Sequence, residues 1–137
     1  MKSVLVLCTG NSCRSQMAEG FLRETGKFKV ASAGTAPSDQ VHPKAIQVMN
    51  EIGVDISGGT PEKVDQYLKD SWDYVITVCG DAKDNCPVFN GDVKERLHIG
   101  FEDPANAIGT ETEILTVFRE IRDQIKAKFH EFTENAA

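Results

Sequence analysis

The sequence predicts an α/β fold in which helices wrap a parallel β-sheet. Three observations lead there. Residues 3–8 and 74–79 are short apolar runs that read as buried strands, the first rich in β-branched residues. Segments with helical hydrophobic spacing alternate with the strand candidates, which is the pattern of strand–helix–strand units. The chain ends on a long amphipathic stretch, residues 110–132, with Ile114, Phe118, Ile121, Ile125, Phe129 and Phe132 on one stripe.

In chain order, residues 3–8 form the first strand. Residues 15 to about 26 read as a helix, with Met17, Ala18, Phe21 and Leu22 on one face and Gly26 at its end. Residues 28–33 are a second strand, stopped by Gly34. Residues 35–41 are polar, contain Pro37 and read as a loop. Residues 43–52 are a second helix, with Pro43 in the first turn and Gly53 just past the end. Its stripe is Ile46, Met49 and Ile52, joined by Ala45. Gly58-Gly59-Thr60-Pro61 is a break, after which Thr60 is expected to cap a third helix with Val64, Tyr67 and Leu68 inward. Residues 74–79 are the clearest later strand. Residues 80–92 read as a loop, because Gly80, Asp81, Asp84, Asn85, Pro87, Asn90 and Gly91 oppose regular structure. Residues 96–99 are a short edge strand. Thr110 and Glu113 form a capping box for the last helix.

The 137 residues, 40% hydrophobic and 26% charged, suit one soluble domain, residues 1–137. A formal charge of −6 argues against nucleic acid and against an anionic membrane surface as partners. The apolar run after Met1-Lys2 is too short for a secretory signal, and no transmembrane span is evident. A cytoplasmic, reducing compartment is therefore expected, where the four cysteines are catalytic more often than structural. No C-x-x-C pair occurs and only three His are present, so no metal and no cofactor are expected.

Chemistry concentrates in Cys8-Thr9-Gly10-Asn11-Ser12-Cys13-Arg14-Ser15, between the first strand and the first helix. Backbone N–H groups of a tight loop can converge on a tetrahedral oxyanion, and the helix adds its positive pole. That field is expected to depress the thiol pKa of Cys8. Arg14 can close the cup with a planar fork that matches two anion oxygens. Ser15 is placed to donate to the Cys8 sulfur, Gly10 allows close backbone approach, Asn11 can bind loop carbonyls, and Cys13 packs beneath the loop. Thr9 to Ser15 are thus the oxyanion-binding candidates. Ligands in open α/β sheets sit beyond the carboxyl ends of the strands. Cys8 and Cys79 each end a predicted strand, so both are expected on one rim. Cys79 and Cys86 flank six loop residues, and two thiols so near can form a disulfide if the loop moves.

The run Val6-Leu7-Cys8-Thr9-Gly10-Asn11-Ser12-Cys13-Arg14-Ser15-Gln16-Met17-Ala18-Glu19-Gly20 closely resembles the phosphate-loop signature of low-molecular-weight protein tyrosine phosphatases. It is still more similar to their arsenate-reductase relatives, and the resemblance extends from residue 3 to about residue 130. It implies a flavodoxin-like, four-stranded parallel sheet flanked by helices, the phosphatase I-like fold. It also implies that Asp103, in Glu102-Asp103-Pro104, supplies the general acid, with Glu102 less favoured. Asn11, Glu19, Ser32 and Glu62 match positions that in some relatives surround a monovalent cation. His42, His98 and His130 have no interpretable partner spacing.

The function implied is reduction of arsenate to arsenite. Cys8 attacks arsenic and Asp103 protonates the departing hydroxyl. Cys79 then attacks the Cys8 sulfur, Cys86 resolves that disulfide, and thioredoxin supplies electrons to a monomeric enzyme. The rival is a phosphatase that works through a phospho-Cys8 intermediate. The cysteine pair, and Ala105-Asn106 where such phosphatases place aromatic walls, favour the reductase. A non-catalytic sensor is the third class, which the intact nucleophile, Arg and acid disfavour.

Overall fold

The computed structural model describes residues 1–136. β1 (Lys2–Cys8) lies inside the sheet, and its Val4, Leu5, Val6 and Leu7 have no exposed surface. Strands apolar on both faces belong where helices cover both faces. β1 pairs in parallel with β2 (Phe28–Gly34) on one side and with β3 (Trp72–Thr77) on the other. β4 (Val93–His98) pairs in parallel with β3, giving the order β2-β1-β3-β4. This is the expected flavodoxin-like sheet. β4 starts three residues earlier than the sequence suggests, because the register runs back to Trp72↔Val93. Its exposed Lys94, Glu95 and Arg96 put charge on the open edge, where it blocks further strand pairing.

α1 (Arg14–Thr25) starts six residues after β1 ends and stops at Gly26, whose φ of 66° closes the helix on the Arg23 carbonyl. α1 packs on β2 and against the long α4 (Glu111–Ala136), which also covers α2 (Pro43–Asn50). The capping box is present. Thr110 N–H donates to Glu113 Oε1 and Glu113 N–H donates to Thr110 Oγ1, both at 3.2 Å. Phe118, Ile121, Ile125, Phe129 and Phe132 are buried as their spacing predicts, and Ile114 is half-buried. Among the described residues no helix is long and apolar enough to cross a membrane.

Three local expectations are corrected. α2 ends at Asn50, and the turn through Gly53 at φ 80° takes Ile52 out of helical phase. Ile52 is exposed, and Val48 is buried in its stead. The third helix is only a 3₁₀ turn, Val64–Tyr67, entered from Lys63 rather than capped by Thr60. The preceding residues run along the end of β2, where Gly34 N–H donates to Glu62 C=O at 2.8 Å and Gly34 bridges to Lys63. That extended pairing excludes a helix starting at Thr60. Finally, residues 80–92 are not all loop. β3 stops at Thr77, and Cys79 caps a five-residue helix, α3 (Gly80–Asp84), by accepting the Ala82 N–H at 3.4 Å. The chain beyond is held where Asn90 and Gly91 N–H donate to the Leu68 carbonyl at 2.7 and 3.1 Å.

Candidate active site

The loop between β1 and α1 has every carbonyl from Cys8 to Cys13 occupied by a donor. Thr35 N–H reaches Cys8 C=O at 3.2 Å, Ala36 reaches Thr9 at 3.0 Å, Ser38 reaches Gly10 at 2.8 Å and His42 reaches Ser12 at 2.9 Å. Gln16 Nε2 donates to Asn11 C=O at 3.2 Å, and Met17 N–H donates to Cys13 C=O at 2.9 Å. With the carbonyls tied outward, the amides of Gly10 to Cys13 have no protein acceptor among the described residues. Unpartnered amides turned around a concavity form an anion nest.

Asn11 fixes the loop's shape. Its φ of 51° is the only positive value at a non-glycine among the described residues, a conformation Asn tolerates better than most residues. Its side chain is fully buried, but it does not bind the loop carbonyls as the sequence suggests. Nδ2 donates to Ser15 Oγ at 2.7 Å and to Ser32 Oγ at 2.9 Å, and Oδ1 accepts the Glu62 N–H at 3.0 Å. Ser15 Oγ thus accepts from Asn11, and no bond from Ser15 to the Cys8 sulfur is formed among the described residues. Gly34 lies close beneath, where a Cβ would collide with the Thr9 carbonyl. Gly34→Ala should displace the loop, weakening binding of a tetrahedral oxyanion at least about tenfold by calorimetry with little loss of helicity.

Arg14 and Asp103 face each other across the loop. Arg14 Nη1 donates to Phe101 C=O at 3.0 Å, and Nη2 lies 3.5 Å from Asp103 Oδ2. Arg14 Nε is buried and has no partner among the described residues. A buried donor without an acceptor is unfavourable by about 1–3 kcal/mol, and an anion in the loop would relieve that cost. Asp103 Oδ1 accepts the Ala105 N–H at 2.9 Å and caps the 3₁₀ turn Pro104–Asn106. Its second oxygen is left facing Arg14, whereas Glu102 is exposed.

All four thiols are free. Val78 N–H donates to Leu7 C=O at 2.9 Å, which carries the β1–β3 pairing past the strand end and sets Cys79 beside Cys8 on one rim. The two thiols share a hydrogen bond, and it alters the expected ionisation. Cys79 is lowered to about 5, first by that bond and further by the Thr9 hydroxyl, the Ala82 N–H and Arg14, with burial opposing. Cys8 is pushed up instead, first by the bond to Cys79 and then by burial, against the pull of Arg14. The two sulfurs thus ionise as a pair, in which one negative charge disfavours a second, with Arg14 drawing that charge toward the loop. A thiolate-absorbance titration of wild type should show one inflection well below the ordinary thiol range, and Cys79→Ser should displace it, because the pair is broken. Cys13 is buried under the loop and raised to about 11 by desolvation. Cys86, two residues past α3, is half-buried and raised by burial, with Arg96 opposing from β4. The Arg96 guanidinium lies 5.4 Å above the buried Phe89 ring.

Glu19, Ser32, Asn11 and Glu62 meet in one polar cluster. Ser32 Oγ donates to Glu19, Tyr67 Oη donates to Glu62, and Arg23 pairs with Glu19. His42 caps α2 through Nδ1 and stacks on Phe118, His98 bonds Thr77, and His130 is exposed near Glu134. The contribution of residues 35–42 to the loop is not visible in the sequence, because it is made by backbone amides and leaves no residue-type signature.

A parallel sheet that carries a Cys-to-Arg anion loop between its central strand and the following helix defines a class, the phosphate-loop proteins with a cysteine at the loop's start. Residues 3–137 match the family described as low molecular weight phosphotyrosine protein phosphatase, and the chain belongs to that family. Within it, the chain is 46% identical over 135 residues to the arsenate reductase of Shouchella clausii, covering 97% of this chain and 96% of that protein. A solved structure described as an arsenate reductase in the phosphate-binding state matches with a TM-score of 0.84 and 37% identity, over 100% of both chains. A thioredoxin-dependent arsenate reductase of Corynebacterium glutamicum matches with a TM-score of 0.69 and 27% identity, over 98% of this chain and 60% of that one.

Proposed function

We propose that this chain reduces arsenate to arsenite by passing electrons along Cys8, Cys79 and Cys86, with thioredoxin as the donor. The observation that carries the reading is the pairing of Cys8 and Cys79 at the mouth of the loop, with a third thiol seven residues on in the chain. Arsenate binds to the amides of Thr9 to Ser15, with Arg14 turning from Phe101 toward two of its oxygens. Cys8 attacks arsenic, and its proton has an acceptor in the neighbouring Cys79 sulfur. An arsenic hydroxyl leaves as water with a proton from Asp103. Cys79 passes that proton to solvent and attacks the Cys8 sulfur. The S–As electron pair stays on arsenic, As(V) becomes As(III), and a Cys8–Cys79 disulfide remains. Cys86 attacks Cys79 and frees Cys8 as a thiol.

The last exchange needs α3 to unwind. A disulfide needs Cα atoms within about 7 Å, and a five-residue helix about 7.5 Å long separates the two cysteines. Five helical residues are far below the length at which a helix is stable alone, so unwinding is cheap. The Cys79–Cys86 disulfide then faces a dithiol reductant. Working thiols require a reducing environment, which fits a cytoplasmic enzyme acting as one domain over residues 1–137.

The test combines the protein with arsenate, thioredoxin, thioredoxin reductase and NADPH, and measures arsenite release and NADPH oxidation in equal amounts. A phosphate-ester arm runs in parallel. Fast ester hydrolysis with no arsenite would replace the reductase reading by the phosphatase one.

A further inference from the structure

Arg14, Arg23, Arg119 and Arg122 each pair with an aspartate or a glutamate. Among the described residues Arg96 is the one arginine that meets no carboxylate. Two positions earlier on β4, Lys94 pairs with Asp73 at 3.2 Å. Arg96 instead lies over the Phe89 ring, with its guanidinium carbon 5.4 Å from the ring centre, and faces the Cys86 thiol. A flat guanidinium is well suited to stack on an aromatic face. The seat is fixed from both sides. Phe89 is buried, and just beyond it the Asn90 and Gly91 N–H groups donate to the Leu68 carbonyl. The Arg96 backbone is held in register with Val75 of β3. Cys86 lies three residues before Phe89, in a stretch outside helix and strand. A cation with no counter-ion is thus anchored beside the thiol that precedes the anchor.

We infer that Arg96 is a positioning residue, seated on Phe89, that supplies the counter-charge for the Cys86 thiolate. This rests on the reading of Cys86 as the thiol that resolves the Cys8–Cys79 disulfide. In that step Cys86 gives its proton to solvent and its sulfur attacks Cys79 Sγ. The Cys79–Cys86 bond forms, the Cys8–Cys79 bond breaks, and Cys8 leaves with the electron pair as a thiolate. Burial works against the first event, because it favours the neutral thiol, and the charge that opposes it is Arg96. The guanidinium raises the thiolate fraction by more than it dulls the sulfur, since nucleophilicity falls less than half as steeply as basicity. Arg96 is itself exposed on the strand edge, where water screens the pairing, so the contact does not trap Cys86 when α3 opens.

The test uses full-length protein with Cys8→Ser, Cys13→Ser and Cys79→Ser, so that Cys86 is the only thiol. Its rate of alkylation by iodoacetamide is followed against pH. Arg96→Gln should raise the midpoint of that profile by about one pH unit, as for an anion that loses a neighbouring cation. Near neutral pH the rate should fall by about threefold, a thiolate fraction about tenfold smaller being partly offset by a more nucleophilic sulfur. Arg96→Lys keeps the charge and should recover most of the shift. Phe89→Leu keeps the core apolar but removes the ring, and should move the midpoint the same way by a smaller amount. An unmoved midpoint in Arg96→Gln, or an equal rise in Arg96→Lys, would overturn the inference. A shift in Arg96→Gln with none in Phe89→Leu would overturn the part played by the ring. The measurement involves no arsenate and no disulfide, so failure of the relay in turnover assays is distinguishable from failure of this inference.

Discussion

Cys79→Ser should release no arsenite in repeated turnover, an expected loss of at least about a thousandfold, while arsenate still binds. The loop amides and Arg14 are untouched by the change, and serine oxygen cannot form the disulfide that carries the electron pair from sulfur. Binding read by calorimetry should therefore stay within severalfold of wild type. Cys86→Ser separates the steps further. It should complete one turnover, release one arsenite per chain and stop as a Cys8–Cys79 disulfide, visible by non-reducing peptide mass spectrometry. Sustained multiple turnover of Cys86→Ser with thioredoxin would remove Cys86 from the relay.

Arg14→Lys should lower kcat/KM for arsenate by about 10²–10³, the range seen when one preorganised donor to a developing anion is lost. The guanidinium reaches Phe101 C=O and Asp103 with its two terminal nitrogens and keeps Nε buried and free. A lysine ammonium keeps the charge but has no planar fork, so it cannot meet two anion oxygens in fixed geometry. It also loses the hold on Asp103, so the decline should appear in kcat as well as KM. A variant that retains wild-type kcat with only a raised KM would show that Arg14 binds substrate without aligning the acid.

The centre of the sheet was legible because β1 is apolar on both faces, a pattern that needs no tertiary information, whereas the charged edge strand β4 was placed three residues late. The anion loop was legible because its residue types are its chemistry: a thiol, a guanidinium and small residues between. What could not be read lies where geometry overrules residue type. Thr60 looks like a cap, yet Glu62 and Lys63 pair with Gly34 and remove the helix it would start. Gly80, Asp81 and Asp84 look like loop residues, yet Cys79 caps a helix through them. The ionisation of Cys8 follows from the loop when the loop is considered alone. It becomes a property of two thiols once Cys79 lies alongside, because the sulfurs titrate together. Asn11 was expected to bind loop carbonyls, but its partners are Ser15, Ser32 and Glu62, which only the fold brings to it.

The segment from Thr35 to His42 braces the loop with main-chain groups alone, at positions 35, 36, 38 and 42. Apart from buried Val41 and the His42 cap of α2, its side chains can change so long as those four nitrogens keep their hydrogens. Its imino acids already follow that restriction, since Pro37 and Pro43 fall at positions from which nothing is asked. A proline scan would map the brace as a pattern of forbidden and tolerated sites, where an alanine scan would pass over it in silence.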